Sequence, residues 1–446
     1  MALGTALSER YTTYPKYKAS DIVWLGKIPI SWTITKMAWN FQASKGKNGQ
    51  LLTKEYCGLN SGDYPVYSGQ TENKGIMGRI NVFEFDTGEQ GVLFSTTVGA
   101  KAMHLSHLTG KFSLSQNCMI IVPQSKDYHV RFSFYHFQPL FAYERGLIPE
   151  HMQASFRVED LNQYQIALPS IEEQEKIANF LDHEIAKIDT LIDKQQQLIK
   201  LLKESRKSAI NKAVTQGLDS NVIMRDSGID WLGKIPKHWK ITKAKYLFDE
   251  QCRPVRNIDG IVTVFRDGQV CLRSRRRNSG FTMAVLEHGY QGIRKGDLVL
   301  HSMDAFAGAI GVSEDDGRAT PEYVVTKPYD SEMNCEYYAD ILRLMAERDY
   351  IFVLCPSVRE RAPRFRFSKF QQVLLPVPPN DEQDEIENYL SNISTRYITL
   401  TGKAEEQINL LKERRTSLIS AAVTGKIDIR NWKKPESSVI QGTING

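Results

Sequence analysis

The sequence predicts a mixed α/β (α+β) fold with an internal pseudo-two-fold repeat. We expect two globular domains joined by a pair of long antiparallel coiled-coil helices. Three observations lead to this expectation: a tryptophan-containing segment occurs twice, a long helical segment occurs twice, and the sequence between the copies is rich in short strands but differs between the two halves.

The first repeat consists of residues 20–36, SDIVWLGKIPISWTITK, and residues 227–243, SGIDWLGKIPKHWKITK. At a constant offset of 207 residues, 12 of the 17 positions are identical. Chance would give about one identity, because common residues each make up a small part of a chain. Solenoid repeats are only about 20–50 residues long, so this spacing indicates a duplicated domain. Its tryptophans and Gly-Pro punctuation suggest that the segment seats each domain against the end of a long helix, although Lys27 and Lys234 could also contact DNA.

The second repeat predicts the two long helices. Residues 168–217 and 375–425 both carry Glu-Gln near their start and LLKE-x-R near their end. Neither Pro nor Gly occurs between residues 171 and 216, and Gly217 is placed to end the helix. We predict helices over 171–216 and 380–424; Gly402 weakens the second by about 1 kcal/mol relative to alanine.

Apolar residues at intervals of three or four form a stripe along each predicted helix. The predicted pairing residues are Leu181, Ile185, Ile188, Ile192, Ile199, Leu202, Ile386, Leu390, Ile393 and Leu411. Each helix could instead pack on its own globular half. Matching stripes in two copies favour the antiparallel coiled coil.

Length and composition set the remaining limits. The 446 residues divide into a first domain (1–167), a long helix (168–219), a second domain (220–374), a second long helix (375–428) and a tail (429–446). The six cysteines form no CxxC pair, so neither a zinc site nor a disulfide framework is indicated. No apolar run approaches the roughly 20 residues of a membrane span, and the start lacks the apolar core of a signal peptide. We therefore expect a cytoplasmic protein without a membrane partner.

The two variable regions, 37–167 and 244–374, carry basic and amide side chains in their loops, and the net charge of +5 allows a nucleic-acid partner. Lys and Arg contact phosphates, whereas Arg, Asn and Gln also read base edges. The candidate DNA-contacting residues are Lys45, Lys47, Gln70, Asn73, Lys74, Thr97, Lys101, Arg273, Arg275, Arg276, Arg277, Arg359, Arg361, Arg364 and Arg366.

Each basic cluster could also be an ordinary solvated surface, and the arginines between 359 and 366 could form internal ion pairs. The cluster at Arg273–Arg277 favours DNA contact, because four arginines within five residues repel one another without an anion. No carboxylate lies between Gln269 and Met283.

Motifs for catalysis are not found. The sequence contains no GxxxxGK[ST], HExxH or GxSxG, and no Asn/Asp-Pro-Pro-Tyr/Phe of the kind that holds a target base in amino-methyltransferases. We therefore expect a protein that is not an enzyme and holds no cofactor or metal, although an unrecognised active site would escape a motif search.

Taken in order along the chain, WLGKIP-x-x-W, EQ-x-x-I-x-x-x-L and LLKE-x-R-x-S-x-I-x-x-AVT resemble the specificity subunit of Type I restriction–modification systems. The resemblance implies two target-recognition domains, each reading one half of a split double-stranded DNA sequence. It also implies two methyltransferase (modification) subunits with S-adenosylmethionine, and restriction subunits with ATP- and Mg-dependent translocation and cleavage. Catalysis would then belong to those partners.

Three other functions are compatible with the residues. The chain could be a DNA-binding adaptor of a related defence or phage system without restriction, a structural coiled-coil scaffold without a DNA role, or an enzyme with unrecognised motifs. The divergent basic modules argue against the scaffold, because a scaffold does not require two different DNA readers.

Overall fold

The computed structural model describes residues 11–70, 72–99, 101–149, 151–276, 289–355 and 364–435. The chain forms two compact units. The first unit consists of Met1–Gln196 with Glu405–Gly446, and the second of Gln197–Ala404. Both contain helices and strands, which confirms the predicted mixed α/β fold with two domains.

The first unit contains two four-stranded sheets, in the orders β6-β5-β10-β7 and β4-β11-β8-β9, and the antiparallel pairs β1-β2 and β12-β3. Its strands are β1 (Tyr17–Ala19), β2 (Lys27–Pro29), β3 (Thr33–Lys36), β4 (Phe41–Ser44), β5 (Ser61–Tyr67), β6 (Ile76–Ile80), β7 (Phe85–Asp86), β8 (Val92–Thr96), β9 (Leu105–Leu108), β10 (Lys111–Leu114), β11 (Cys118–Pro123) and β12 (Gln165–Leu168). Its helices are α1 (Met37–Asn40), α2 (Lys54–Leu59), α3 (Val130–Gly146), α4 (Val158–Gln163) and the first part of α5 (Ile171–Gln216).

The second unit contains one four-stranded sheet, β16-β23-β20-β21, and the antiparallel pairs β13-β14, β15-β24, β17-β18 and β19-β22. Its strands are β13 (Met224–Asp226), β14 (Lys234–Pro236), β15 (Lys240–Lys243), β16 (Phe248–Glu250), β17 (Val262–Val264), β18 (Val270–Leu272), β19 (Gln291–Ile293), β20 (Leu298–His301), β21 (Ile310–Val312), β22 (Gly317–Ala319), β23 (Tyr323–Pro328) and β24 (Leu374–Val377). Its helices are α6 (Cys335–Glu347), α7 (Tyr350–Leu354), α8 (Phe367–Phe370) and the first part of α9 (Asn380–Val423).

Both long helices are close to the predicted bounds. Helix α5 covers the predicted residues 171–216, and Gly217, which adopts φ +73°, follows it as predicted. Helix α9 ends at Val423, one residue earlier than predicted, and Gly425 adopts φ +71° two residues later. A positive φ is accessible to glycine without steric cost, so both glycines suit the ends of these helices.

Each long helix contributes its two ends to two different hydrophobic cores. In the first unit, Leu181, Ile185 and Ile188 of α5 lie in one core with Leu418 and Ala422 of α9. In the second unit, Ala213 and Val214 of α5 lie in one core with Ile386 and Leu390 of α9. Apolar burial thus attaches the two ends of each long helix to different globular parts.

The remaining predicted pairing residues are less buried. Ile192 and Leu411 are half-buried against the core of the first unit, as is Ile393 against that of the second. Ile199 and Leu202 are also half-buried. Polar contacts join the helices within each unit: Arg415 Nε donates to Asp189 Oδ1 (3.1 Å) in the first, and the Ser205 and Tyr397 hydroxyls lie 2.6 Å apart in the second.

A hydrogen bond from a buried indole to a glutamate carboxylate fixes the start of each long helix. Trp32 Nε1 donates to Glu173 Oε1 (3.0 Å) in the first unit, and Trp239 Nε1 donates to Glu382 Oε2 (3.0 Å) in the second. The end of the other long helix meets the same segment, since a Cβ on Gly425 would lie 3.4 Å from the Trp32 ring. The prediction that the tryptophan segment seats each domain against a long helix is therefore confirmed.

The glutamine after each of these glutamates holds a second helix of the same unit. Gln174 Oε1 accepts from the backbone N–H of His129, the N-cap of α3 (2.9 Å). Gln383 Oε1 accepts from the N–H of Asn334, the N-cap of α6 (3.0 Å). Both side chains are buried, so each Glu-Gln pair joins three segments of its unit.

Within the part of the chain that the structure describes, we find no helix with the length and apolarity needed to cross a membrane.

We expect Trp32→Phe to destabilise the protein by about 1.5–3 kcal/mol beyond the loss of ring volume, because the buried Glu173 carboxylate loses a hydrogen-bond donor. Trp239→Phe should destabilise it less, because Glu382 is only half-buried. Urea unfolding followed by circular dichroism would measure the effect. Trp24→Phe, at a half-buried tryptophan of the same repeated segment, controls for ring volume. Equal losses in all three variants would show that the indole N–H contributes little.

Candidate nucleic-acid interface

Three loops that carry candidate residues of the first unit, and the short loop 115–117, leave the same edge of its two sheets. They follow the ends of β4, β5, β8 and β10. The register places Ser44 opposite Ile120 and Thr96 opposite Cys118, so the start of β11 lies between the ends of β4 and β8. Leu114 lies beside Tyr67 in the parallel pair β10-β5. We call residues 45–53, 68–70, 72–75, 97–99, 101–104 and 115–117 the first loop edge.

Hydrogen bonds between these loops hold the first loop edge together. The Ser115 N–H donates to the Tyr67 carbonyl (2.9 Å), and the Thr97 N–H donates to the Asn117 carbonyl (2.9 Å). The Lys47 N–H donates to the Glu84 carboxylate. The backbone of the loops is therefore arranged in advance, which lowers the entropy lost when a ligand binds.

Most of the predicted contact residues of the first unit are exposed on this edge, namely Lys45, Lys47, Gln70, Asn73, Lys74 and Lys101. Gln70 uses part of its amide internally, because Nε2 donates to the Ile76 carbonyl (2.6 Å). Its Oε1 and the lysine ammonium groups supply acceptors and donors of the kinds that contact bases and phosphates.

Thr97 does not fit the predicted role. Only 2% of this residue is exposed, and its backbone bonds to Asn117 and Phe156 while its side chain lies inside the unit. The prediction that its side chain contacts DNA is wrong for this conformation, because the loop turns inward at this position. Its exposed neighbour Val98 occupies the surface instead.

In the second unit, the ends of two neighbouring strands lie beside the segment that carries the predicted residues Arg364 and Arg366. His301 at the end of β20 lies opposite Tyr323 at the start of β23. The Ser302 N–H donates to the Glu322 carbonyl (2.8 Å), and the Phe365 N–H donates to the Ser302 carbonyl (2.9 Å). We call residues 301–308, 322–323 and 364–366 the second loop edge.

The arginines of the second loop edge face an internal carboxylate. Arg364 forms an ion pair with Glu322 (2.5 Å), which also accepts from Ser302 Oγ (2.8 Å). Burial tends to raise the pKa of Glu322, but hydrogen bonds from Ser302 and Arg364 and the charge of exposed Arg366 hold that pKa below its usual range. Arg364 therefore has the internal ion pair that the sequence left open as an alternative to DNA contact.

The arginines that follow β18 are also paired, which corrects the premise that their charges lack a nearby anion. Arg275 Nη1 lies 3.0 Å from Glu314 and 2.9 Å from Asp315, and Arg276 lies 2.9 Å from Asp267. Arg273 is half-buried, with Nε donating to Thr263 Oγ1 (3.1 Å). These carboxylates were missed because two of them lie about forty residues away in sequence.

Nearby donors favour the charged form of two of these carboxylates, Asp267 and Asp315. The hydrogen bond from Arg276 lowers the pKa of Asp267, and the Leu272 N–H together with Arg275 lowers the pKa of Asp315. Arg275 and Arg276 nevertheless remain substantially exposed, so a phosphate could replace or share their carboxylate partners.

Sequence reasoning also missed Arg266. Its guanidinium pairs with Asp304 (2.9 Å) in the loop after β20, and a Cβ on Gly308 would lie 2.9 Å from the Arg266 carbonyl. The Arg-Asp-Gly sequence at 266–268, a turn signal beside a strand, could have indicated it. The predicted contacts Arg277, Arg359 and Arg361 lie outside the described residues.

The chemistry of both edges is hydrogen bonding and charge. Across the residues with described positions, we find no group of three or more His, Cys, Asp or Glu side chains arranged to hold a metal ion. The loops combine flexible cations with amides and hydroxyls, a set suited to a polyanion with patterned acceptors.

Comparison with known proteins identifies the class. The family model for the Type I restriction modification DNA specificity domain matches residues 41–201. The type I specificity subunit S.MpnORF289P (N-terminus) of Mycoplasma pneumoniae is 32% identical over 139 residues, covering 30% of this chain and 70% of the relative. The specificity subunit of the Type I restriction enzyme MjaVIII of Methanocaldococcus jannaschii is 24% identical over 428 residues, covering 91% of this chain and 95% of the relative.

The chain therefore belongs to the family of Type I restriction–modification specificity subunits. For other specificity subunits of M. pneumoniae, the aligned segment covers between 36% and 54% of the relative. A solved structure from work on complex assembly and conformational transition of the type I R-M system shares the fold, with a TM-score of 0.59 and 13% identity. It covers 89% of this chain and 98% of its own.

We expect Arg275→Ala to weaken DNA binding and to reduce the slope of log affinity against log salt by about 0.9, because one phosphate contact is lost. Glu314→Gln should instead strengthen DNA binding and increase this slope, since it frees Arg275 from one ion pair. Arg79→Ala, at an exposed arginine near the far end of the β5-β6 hairpin, is the matched control. Fluorescence anisotropy at several salt concentrations would measure all three. An unchanged slope in both test variants would assign Arg275 to a purely internal ion pair.

Proposed function

We propose that this chain is a non-catalytic DNA-binding subunit that recognises a bipartite target. The first loop edge reads one half-site and the second loop edge reads the other. One observation carries the proposal: each unit gathers its own polar loops at one edge of its sheets, while the tryptophan–glutamate framework beneath is the same in both units. Two readers with different surfaces on one framework are suited to two different half-sites.

Recognition would combine two kinds of contact. Exposed lysines and arginines bind phosphates and fix the position of each unit, whereas amides and individual arginines read base edges in the major groove. Because the arginines of the second unit start from internal ion pairs, DNA must compete with carboxylates for them. This competition penalises a poorly placed phosphate and favours a well-placed one.

We further propose that the modification reaction belongs to partner subunits. Two methyltransferase subunits would supply S-adenosylmethionine, and restriction subunits would supply ATP- and Mg-dependent translocation and cleavage. This chain would direct them to the target. The family membership and the two equivalent framework sites support this arrangement. A related adaptor without restriction would bind the same DNA and modification subunits but no restriction subunit.

We also propose that α5 and α9 pair as an antiparallel coiled coil and set the spacing between the half-sites. Their 46 and 44 residues correspond to helices of roughly 65–70 Å. Contacts between the helices within each unit support the pairing, as between Arg415 and Asp189 and between Ser205 and Tyr397. Half-site spacing follows scaffold geometry in other two-headed DNA readers.

Transplanting one module tests the separate readers. Residues 37–167 replaced by the corresponding module of a relative should change one half-site and leave the other unchanged. Methylome sequencing of a host that expresses the chain with its modification subunit would read both half-sites at once. The reciprocal exchange of residues 244–374 is the control. A change in both half-sites, or in neither, would contradict the proposal.

Charge placed in the helix seam tests the pairing. Ile188→Asp combined with Ile192→Asp should destabilise the protein by several kcal/mol, on the order of the cost of burying unpaired charge. Asp193→Asn combined with Lys194→Gln, at exposed positions of the same helix, is the control. Thermal unfolding and the assembly state of the complex are the readouts. An unchanged melting temperature with intact assembly would show that the helices do not depend on this seam.

A further inference from the structure

An exposed aromatic side chain occupies the same position of both repeats. Trp39 is 69% exposed and Tyr246 is 65% exposed. The two positions differ by the offset of 207 residues that relates the WLGKIP segments. A lysine accompanies each ring, with Lys36 Nζ 5.8 Å from the Trp39 ring centre and Lys245 Nζ 4.7 Å from that of Tyr246. Single exposed apolar residues are common, but a matched pair in two otherwise divergent regions is not expected by chance.

The turns that carry these rings are fixed by equivalent backbone hydrogen bonds. In the first unit, the Met37 N–H donates to Tyr164 (2.9 Å) and the Gln124 N–H donates to Asn40 (2.8 Å). The corresponding turn of the second unit is held in the same way. There, the Ala244 N–H donates to Val373 (2.8 Å) and the Tyr329 N–H donates to Leu247 (2.9 Å).

Because Met37 and Ala244 are fully buried, each turn is anchored on its inner side. The aromatic ring on the outer side is thus presented in a fixed orientation, a property that lowers the entropic cost of binding.

Both rings lie at the end of their sheet that is opposite to the loop edge. In the first unit, β4 starts at Phe41, two residues after Trp39, and reaches the first loop edge only at Ser44. In the second unit, β16 starts at Phe248, which pairs with Pro328, whereas the second loop edge begins at Tyr323 at the other end of the same strand β23. DNA held at the loop edges would therefore leave these rings uncovered.

We propose that Trp39 and Tyr246 are the anchors of two equivalent protein-docking surfaces, which bind two copies of one partner subunit. This inference rests on the proposed function, in which that partner is the modification subunit. Each copy would offer an apolar pocket for the ring and carboxylates for the neighbouring lysines, Lys36 in the first unit and Lys243 and Lys245 in the second. Tryptophan and tyrosine are among the residues that dominate protein–protein affinity. Two matched surfaces on one chain suit a partner present in two copies.

The test uses the full chain reconstituted with the purified modification subunit of its own system and observed by native mass spectrometry. Trp39→Ala and Tyr246→Ala should each weaken one of the two binding events about 30-fold, so that one partner copy is lost at concentrations that saturate the unmodified chain. The double variant should lose both copies. Leu59→Ala and Ile258→Ala, at exposed aliphatic residues of the first and second unit, should keep both.

Two further measurements make the result specific. Lys36→Glu and Lys245→Glu should weaken the same binding events without removing a ring, and melting temperatures should show that every variant folds. Affinity of the chain alone for its DNA should stay unchanged in all variants.

The proposal would be overturned if the double variant still bound two copies of the modification subunit. A fall in DNA affinity would then indicate that these rings contact DNA, and an unchanged DNA affinity would indicate that they only face solvent. If the chain without substitutions bound its DNA but no modification subunit, the proposed function and the proposed docking surfaces would both be contradicted. If the variants lost affinity for DNA but kept both copies of the modification subunit, only the proposed docking surfaces would be contradicted.

Discussion

The hydrogen bond between a buried indole and the first turn of a long helix is the constraint on which the rest of this structure depends. Trp32 with Glu173, and Trp239 with Glu382, place a repeated turn against the start of one long helix. The neighbouring glutamine then bonds to the start of a second helix, and the end of the other long helix packs against the same tryptophan. A carboxylate with little exposure is costly unless it accepts good hydrogen bonds, so its position is determined closely. The variable sheets are built onto this fixed arrangement.

In each unit, the residues of the shared framework are separate from the residues of the loops that differ between the two halves. The framework contacts involve residues that recur in both halves, whereas the loops that leave the sheets share few residues between the halves. Changing a loop edge does not touch the indole–carboxylate contact. The turns that carry Trp39 and Tyr246 belong to this shared framework, because the buried residues Met37 and Ala244 hold them in place. The proposed docking surfaces and the proposed DNA-reading loop edges are thus supported by different parts of each unit.

The sequence predicted the two mixed domains and the bounds of the long helices well, because both depend on local patterns. An unbroken helical stretch followed by glycine specifies a helix whatever surrounds it. The predicted role of the tryptophan segment was also correct, since few places other than a packed junction suit two tryptophans and a Gly-Pro turn. The assignment of the helix ends to two separate cores was not predicted, because apolar periodicity indicates burial without identifying the partner.

The candidate interface was harder to predict for the same physical reason. Thr97 has the composition of a contact residue, yet a backbone turn directs it inward. The arginines after β18 looked unbalanced because their carboxylates, Glu314 and Asp315, approach through the fold rather than along the chain. The gathering of four loops at one edge depends on strand register, for example Leu114 beside Tyr67, which no local pattern specifies.

The discontinuity of the first unit has a consequence for how the chain is made. All residues of the second unit have been synthesised once the ribosome passes Ala404, whereas the first unit lacks part of itself until α9 is finished. Leu418, Ala422, Ile427 and Ile429, which complete the core of the first unit, are among the last described residues to emerge. All residues of the second unit are thus available before those of the first, whereas N-terminal domains are usually the first to be complete during synthesis. Between the synthesis of Gln196 and that of Ile429, the nascent chain therefore holds the N-terminal part of this core without the α9 residues that cover its apolar face.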